Sequence, residues 1–255
     1  METFDTLIQK SYGYDSQQMH ISSDWAVVRH LYQSNYVRAI WEKNGIPKII
    51  HQIWLGSLVP DKFKRYMETW KELHPTWEYK LWTDKEAKKY MSENEVYQQV
   101  INNGMKSDML RYKILREQGG VYVDTDFECI RPLDDLLYLN FFTGISYDPK
   151  LCLYIGLIAS VPQHPIMIEC SENVLEAYPG NKASIIMNLS GPQYFTRCFM
   201  NNVKLDTKGV VAFPTDFFYP FPNNKIDKAD PYLYITENTY ALHHWAISWI
   251  IRKKQ

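Results

Sequence analysis

Two carboxylates separated by one residue follow a short hydrophobic stretch in the middle of the chain. Asp124 and Asp126 come directly after residues 121–123, Val-Tyr-Val. Ligands of α/β proteins bind at the carboxyl ends of strands, so these acids are expected at a binding edge. Side chains alternate faces along a strand, so both acids reach one cation only if the chain turns there. Carboxylate oxygens suit Mn²⁺ or Mg²⁺, which can also hold phosphate oxygens.

A charged pair and two glycines precede this motif. Asp108 and Arg111 lie one turn apart on one face of a predicted helix, and Gly119 and Gly120 end that helix. The alternative interpretation of the charged pair is a surface ion pair, which would contribute little stability. Two acids at the spacing of Asp124 and Asp126 are by themselves a weak indication of a cation site in a chain with 29 acidic residues. All these features in this order favour a site for a phosphate-bearing ligand and a cation.

The composition is that of one large α/β domain with a small appendage. The chain has 255 residues, of which 45% are hydrophobic and 22% are charged. Its 28 basic and 29 acidic residues leave a net charge of −1, so no nucleic-acid partner is predicted. The aromatic content of 15% is high and suits either core packing or platforms for sugar-like ligands.

The cysteines and the hydropathy pattern predict a cytoplasmic protein. The four cysteines are too far apart for a CxxC metal site or a dense disulfide framework, so reduced thiols are expected. No signal-peptide pattern and no apolar run long enough to span a bilayer is found. Residues 1–45 contain an amphipathic helix that carries aromatic residues. Three roles stay open for this helix, which are peripheral contact with a membrane, contact with another subunit and packing on the main domain.

Predicted strands and helices alternate along the chain. This order predicts a mainly parallel sheet covered by helices on both faces. The strands are expected near residues 48–55, 77–82, 121–123 and 151–160, and the helices near residues 60–74, 84–103, 105–119 and 165–178.

With these motifs in place, the sequence resembles the DXD-containing sugar-transferase family of glycosyltransferases. That family includes initiation α-1,6-mannosyltransferases, α-1,4-galactosyltransferases and capsular polysaccharide transferases, and it is distantly similar to clostridial glucosylating toxins. The resemblance is strongest over residues 46–135 and returns at 240–249. The matching segments are Ile46 to Trp54, Trp70 with His74-Pro75, Tyr79 to Trp82, Ser107-Asp108 with Arg111-Tyr112, Gly119 to Asp126, Ala241 to Trp245, and Ser248-Trp249.

The resemblance implies a GT-A fold over residues 46–255, a Rossmann-like α/β sheet with residues 1–45 as a helical extension. It implies a nucleotide-sugar donor, with catalysis by Asp124, Asp126 and Arg111. The residues that it implies for donor binding are Ile53, Trp54, Asp108, Arg111, Gly120, Asp124, Ser248 and Trp249. Trp54 and Trp249 each have a core-packing role as the alternative.

The resemblance also implies a metal site completed from the C-terminal part of the chain. Asp126 is favoured for direct ligation, whereas Asp124 divides its contacts between ribose, sugar and metal. His243 or His244 would complete the site, and adjacent residues of a strand point in opposite directions. The family pattern favours His243, and simple packing is favoured for His244.

The predicted activity is transfer of a hexose from a UDP- or GDP-sugar to a glycan, polysaccharide or lipid-linked acceptor, with retention of anomeric configuration. The expected setting is polysaccharide or glycan biosynthesis. A front-face reaction is preferred because no separate nucleophile stands out. Two alternatives stay open. One is a carbohydrate-binding protein without turnover, and the other is a phosphatase or phosphotransferase with Asp124 as nucleophile, although Glu128 stands where that signature requires Thr or Val.

Overall fold

The structure is a computed structural model of the full chain. It describes residues 3–10, 22–37, 45–146, 150–174, 176–178, 180 and 182–246. Ser248 and Trp249, two of the predicted donor-binding residues, lie outside the described residues.

Eight strands and ten α-helices are found in these ranges. The strands are β1 Ile49–Ile53, β2 Glu78–Trp82, β3 Gly120–Val123, β4 Phe127–Cys129, β5 Phe141–Ile145, β6 Leu153–Ser160, β7 Val210–Phe213 and β8 Ala241–His243. The helices are α1 Phe4–Gln9, α2 Ser23–Tyr32, α3 Asp61–Leu73, α4 Asp84–Tyr90, α5 Glu95–Gln99, α6 Asn103–Gln118, α7 Pro165–Glu172, α8 Ala183–Leu189, α9 Pro192–Asn202 and α10 Thr215–Phe218. A π-helical turn, Gln33–Val37, continues α2, and three 3₁₀ turns cover Asp134–Leu136, Asn223–Lys225 and Pro231–Tyr234.

Six strands form the central sheet in the order β2-β1-β3-β6-β5-β7. The pairs β1–β2, β1–β3 and β5–β7 are parallel, which agrees with the predicted mainly parallel α/β sheet. Strand β6 runs antiparallel to both of its neighbours, a detail that alternation of elements alone did not predict. Five of the six strands are buried along most of their length, as expected for a sheet covered on both faces.

A short antiparallel ribbon of β4 and β8 lies beside the end of β3. In its register, Phe127 pairs with His243 and Glu128 pairs with Leu242. The ribbon packs against α3, where the indole of Trp70 donates to the carbonyl oxygen of Phe127 at 2.9 Å. It thereby brings the C-terminal part of the chain next to the residues that follow β3.

The helices before residue 45 pack on the main domain. Trp25, Val28 and Tyr32 of α2 are buried, with Tyr32 set edge-on to the ring of Phe213 in β7 at 6.1 Å. The side-chain amide of Asn35 donates to the carbonyl oxygens of Thr207 and Val210 at 2.9 and 3.0 Å. Because these contacts cover the edge strand of the sheet, they leave these described helical residues little apolar surface for a membrane.

The long helix α6 carries the charged pair predicted from the sequence. It begins at Asn102, whose side chain accepts from the amide of Met105, and it ends at Gly119, which has a φ of +64°. Eight of its side chains are buried, including Asp108 and Arg111. Within the ranges that the structure describes, no helix has the length and apolar character needed to cross a bilayer.

Candidate active site

The chain turns sharply at the DXD motif, as convergence of its two carboxylates requires. The amide of Phe127 donates to the carbonyl oxygen of Asp124 at 3.1 Å, which closes the turn. The amide of Asp124 donates to the carbonyl oxygen of Gly156 in β6 at 2.7 Å. This turn brings together Asp124, Asp126 and His243, whose candidate ligand atoms all lie within 4.8 Å of one another.

Asp126 is held from three sides by the segment around β8. Its Oδ1 lies 3.1 Å from Nε2 of His243, and its Oδ2 accepts from the amide of Ala246 at 2.7 Å. The amide of His244 donates to its carbonyl oxygen at 2.9 Å. Burial alone would raise the pKa of Asp126, but His243 and the Ala246 amide outweigh it and hold that pKa below its usual value.

Asp124 faces Tyr122 and helix α6, and its side chain is 31% exposed. Its Oδ1 accepts from the hydroxyl of Tyr122 at 2.5 Å and lies 3.2 Å from Nη1 of Arg111. Burial raises the pKa of Asp124, Arg111 opposes that rise, and the charge of Asp126 adds to it. The motif therefore holds two nearby carboxylates in different environments, one paired with Arg111 of α6 and one with His243 of β8.

Arg111 connects Asp124 to helix α6. Its Nη2 lies 3.1 Å from Oδ1 of Asp108, and its Nη1 donates to the carbonyl oxygen of Ile155 at 2.7 Å. Its guanidinium carbon lies 4.3 Å from the ring centre of Tyr122, a cation–π geometry. The side chains of Arg111 and Asp108 are only 6% and 8% exposed. The surface-ion-pair interpretation of these two residues is therefore wrong.

Asp108 has a second partner on the far side of α6. Its Oδ2 accepts from the hydroxyl of Ser190 at 2.8 Å. Burial raises the pKa of Asp108 to about 7, although Arg111 and the Ser190 hydroxyl oppose the rise. A buried carboxyl with a perturbed pKa is typical of functional sites, and it also occurs in buried structural ion pairs.

The residues at the turn fit a divalent cation. Two carboxylates and one imidazole are a donor set that Mn²⁺ accepts. The 3.1 Å between Oδ1 of Asp126 and Nε2 of His243 is close to the ~3 Å that separates neighbouring ligands in an octahedral shell. Nδ1 of His243 is buried without a hydrogen-bond partner among the described residues. A cation would also relieve the repulsion between the two carboxylates.

The predicted donor-binding residues of β1 and β3 lie at different ends of these strands. Ile53 and Trp54 stand at the carboxyl end of β1, on the side of the turn, whereas Gly120 begins β3 beside Ile49. Ile53 is buried at the end of β1, and Trp54 is half-buried with its ring centre 4.9 Å from that of Phe63. Gly120 has a φ of +94°, and a Cβ there would lie 2.6 Å from the carbonyl oxygen of Ile49. Gly120 thus allows β3 to lie close to β1.

The two adjacent histidines point to different partners, as the alternation along a strand predicts. His243 faces Asp126, whereas Nε2 of His244 lies 3.0 Å from Oε2 of Glu128. Among the predicted metal ligands, the structure therefore brings together Asp124, Asp126 and His243, and it directs His244 elsewhere.

Several contacts of the site were not predicted from the sequence. Tyr122 lies two residues before Asp124, so period-two alternation could have indicated that both share a face. Ile155, Ser190 and Ala246 contact the site from segments 44 to 120 residues away in sequence, with no local pattern to mark them.

The fold and the site together define a glycosyltransferase-type α/β domain with a DXD turn. Residues 60–142 match the family described as "Glycosyltransferase sugar-binding region containing DXD motif". The chain is therefore related to the DXD-containing glycosyltransferases, and the resemblance found in the sequence is confirmed. The enzyme class of the matching family, glycosyltransferase, is the one predicted from the sequence.

Two curated relatives and one solved structure illustrate this relationship. Inositol phosphoceramide mannosyltransferase 1 of Schizosaccharomyces pombe is 32% identical over 52% of this chain and 44% of its own length. The chain thus spans less than half of that relative. Uncharacterized glycosyltransferase L373 of Acanthamoeba polyphaga mimivirus is 28% identical over 79% of this chain and 84% of its own. The solved PaToxG glycosyltransferase superposes with a TM-score of 0.53 at 19% identity, covering 74% of this chain and 81% of that one, which supports the predicted GT-A fold.

Proposed function

We propose that this protein is a metal-dependent, retaining glycosyltransferase that moves a hexose from a UDP- or GDP-sugar to a hydroxyl-bearing acceptor. The observation that carries the proposal is the convergence of Asp124, Asp126 and His243 at the carboxyl end of β3. A turn at this edge of an α/β sheet is where such folds bind nucleotide ligands.

Asp124, Asp126 and His243 would hold Mn²⁺ or Mg²⁺. When bound, such a cation neutralises phosphate charge and stabilises the negative charge that develops on a departing nucleoside diphosphate. Among the described residues, these three are the group of acids, histidines and cysteines close enough to share one ion. His244 is not included because its imidazole pairs with Glu128.

Arg111 acts on the reaction mainly through Asp124. The contacts of its guanidinium with Asp108, Asp124 and Ile155 fix it in place and leave it 6% exposed. It holds the carboxylate of Asp124 in one orientation and supplies positive charge next to the donor phosphates. Preorganised charge of this kind costs no reorganisation when the reaction occurs.

The donor would lie between the ends of β1 and β3 and the C-terminal segment. Ile53 and Trp54, at the carboxyl end of β1, are proposed to contact the base and ribose. Asp108 is proposed to bind the donor from helix α6, and Gly120 from the start of β3. Ser248 and Trp249 are proposed to close over the donor from the C-terminal side. A front-face reaction with retention requires no further nucleophile, and a trapped covalent glycosyl-enzyme would contradict it.

The acceptor is proposed to be a glycan, polysaccharide or lipid-linked sugar. One relative is named as a mannosyltransferase of inositol phosphoceramide, which supports a hydroxyl-rich acceptor without identifying it for this chain. Such acceptors occur at membrane surfaces, so peripheral contact with a membrane belongs to this proposal.

A donor panel tests the proposal. UDP- and GDP-linked glucose, galactose and mannose are each incubated with the protein and Mn²⁺, and release of UDP or GDP is measured with and without EDTA. Metal-dependent release from at least one donor is expected. Donor binding without release would indicate a carbohydrate-binding protein, and phosphate release from phosphomonoesters would indicate a phosphatase. Either result would contradict the proposed function.

A further inference from the structure

A second acid–imidazole pair lies next to the one at the candidate metal site. Nε2 of His244 and Oε2 of Glu128 are 3.0 Å apart, and their side chains are 13% and 18% exposed. The amide of His244 donates to the carbonyl oxygen of Asp126 at 2.9 Å. The second pair therefore lies next to the DXD motif and joins β4 to the residue that follows β8.

Two tyrosine rings flank this pair. The ring of Tyr66, from α3, stacks on the imidazole of His244 at 4.1 Å with an angle of 10° between the planes. The ring of Tyr232 lies 6.3 Å from the same imidazole, and its hydroxyl donates to Oε2 of Glu128 at 2.8 Å. Tyr232 is 51% exposed, so one side of this arrangement is open to a ligand.

The same cluster is electrostatically connected to the metal site. Burial raises the pKa of the Tyr66 phenol, and the negative charges of Glu128 and Asp126 add to that rise. No described residue hydrogen-bonds to this phenol. Tyr66 thus stacks on the imidazole of the residue whose amide is bonded to Asp126.

A purely structural role would explain only part of this arrangement. The Tyr232–Glu128 hydrogen bond ties the 3₁₀ turn Pro231–Tyr234 to the ribbon. Yet the ring of Tyr232 is half exposed beside a carboxylate, an imidazole and a second aromatic ring. A structural tie between two segments does not require this arrangement of exposed groups. Aromatic rings pack against the C–H faces of sugars, and a carboxylate accepts hydrogen bonds from sugar hydroxyls. The combination of the two suits a hydroxyl-rich ring as ligand.

We propose that Glu128, His244, Tyr66 and Tyr232 form the acceptor subsite, and that it takes a sugar ring or a cyclic polyol. This inference rests on the proposed glycosyl transfer and assigns its acceptor side. Glu128 accepts hydrogen bonds from acceptor hydroxyls, and His244 fixes the carboxylate. Tyr232 packs against the ring, which brings another of its hydroxyls toward the donor at the DXD turn. Glu128 and Tyr232 are binding residues for the acceptor, not groups that move a proton.

The test separates donor hydrolysis from transfer. With the donor that is active in the panel, release of nucleoside diphosphate to water is measured first. Transfer to methyl α-mannoside, methyl β-galactoside and myo-inositol is then followed by mass spectrometry, and binding of the same three probes by saturation-transfer NMR. The variants are Glu128→Gln and Tyr232→Ala. The exposed Glu237→Gln in the following loop is the matched control.

We expect wild-type protein to bind at least one probe. Glu128→Gln should raise the KM for that probe about tenfold or more, because a hydrogen bond to a charged group is lost. Tyr232→Ala should weaken the NMR signal similarly. Donor KM and donor hydrolysis should stay within about twofold of wild type in both variants, because Asp124, Asp126 and His243 are unchanged. Glu237→Gln should match wild type throughout.

Three results would overturn the assignment. They are unchanged acceptor KM in both variants, an equal fall of hydrolysis and transfer, and no binding of any probe to a wild-type protein that hydrolyses its donor. The second result would mean that the cluster only supports Asp126. By contrast, absence of donor hydrolysis in the wild type would contradict the proposed function itself.

Discussion

Nη1 of Arg111 lies 3.2 Å from Oδ1 of Asp124, and this ion pair joins helix α6 to the first carboxylate of the DXD motif. Because Nη2 of the same guanidinium lies 3.1 Å from Asp108, one side chain links two acids that are 16 residues apart in the chain. A planar, forked group can do this, and a point charge cannot. The orientation of Asp124 therefore depends on the shape of the Arg111 side chain as well as on its charge.

Replacing Arg111 by Lys should be far from conservative. The ammonium group of Lys cannot reach Asp108, Asp124 and the Ile155 carbonyl together, so buried partners are left unsatisfied. We expect a loss of about 3 kcal/mol in the free energy of unfolding and a fall in kcat/KM of about a hundredfold or more. Urea denaturation and donor hydrolysis measure the two effects.

Arg116→Lys on the same helix is the matched control. Arg116 pairs with Glu172 at 2.8 Å, but both side chains are well exposed, at 31% and 53%. This substitution should change stability by less than about 0.5 kcal/mol. Wild-type activity in Arg111→Lys would contradict its role in holding Asp124.

Gly156 should be needed for metal affinity. A Cβ at this position would lie 3.0 Å from Oδ2 of Asp124 and 2.9 Å from the Phe127 ring, so Gly156→Ala should displace the carboxylate. We expect Mn²⁺ affinity, measured by isothermal titration calorimetry, to fall about tenfold. Gly209→Ala, at a φ of +68° and away from the motif, should lower stability without changing Mn²⁺ affinity. Equal affinities in the two variants would refute the prediction.

The helices before residue 45 should be part of the folded unit. Tyr32 of α2 is buried against Phe213 and Phe217, so Tyr32→Ala should cost about 3–5 kcal/mol of unfolding free energy. His30→Ala, on the exposed side of α2, should cost under about 0.5 kcal/mol. A Tyr32→Ala protein as stable as the control would show that this segment is not integrated with the main domain.

Stability should fall on mild acidification because of a buried histidine. His51 is fully buried, and its Nδ1 accepts from the Trp82 indole at 3.2 Å while Nε2 donates to the Gly119 carbonyl at 3.0 Å. Burial lowers the pKa of His51 to about 4 from the 6.5 expected in the unfolded chain. The unfolded state therefore binds a proton first, and stability present above pH 6.5 is lost as the pH falls toward 4.

The loss attributable to His51 should approach about 3 kcal/mol at the acid end of that range. Urea denaturation between pH 5 and pH 8 measures how the free energy of unfolding depends on pH. In His51→Gln, the part of this slope that corresponds to about one proton should be missing. His30→Gln, which changes an exposed imidazole, should keep the wild-type slope. If His51→Gln also kept the wild-type slope, the buried neutral imidazole of His51 would not be the source of the pH dependence.

The sequence predicted those parts of the fold that local patterns encode. The apolar stretch before Asp124 appears as β3, and the amphipathic run before Gly119 appears as α6. The predicted helix over 165–178 ends at Glu172, with Asn173 as its C-cap, although the apolar spacing continues beyond it. The reversed direction of β6 depends on long-range pairing with β3 and β5, which local periodicity does not carry.

The same distinction holds for the site. The turn at Asp124 and Asp126 and the opposite directions of His243 and His244 follow from spacing and strand alternation. The burial of the Asp108–Arg111 pair does not, because one-turn spacing on a helix is the same in a core and on a surface. The Ser190 hydroxyl reaches Asp108 only through the packing of distant segments.

The most direct test of the central claim is Mn²⁺-dependent donor hydrolysis by Asp126→Asn. Asp126 lies at a strand end with its side chain 13% exposed, so the variant should fold, with a melting temperature within a few degrees of wild type. Exposed Asp206→Asn is the control. We predict that Asp126→Asn loses at least about a hundredfold in metal-dependent turnover while the control is unchanged. Wild-type turnover and Mn²⁺ dependence in Asp126→Asn would contradict the assignment of this site.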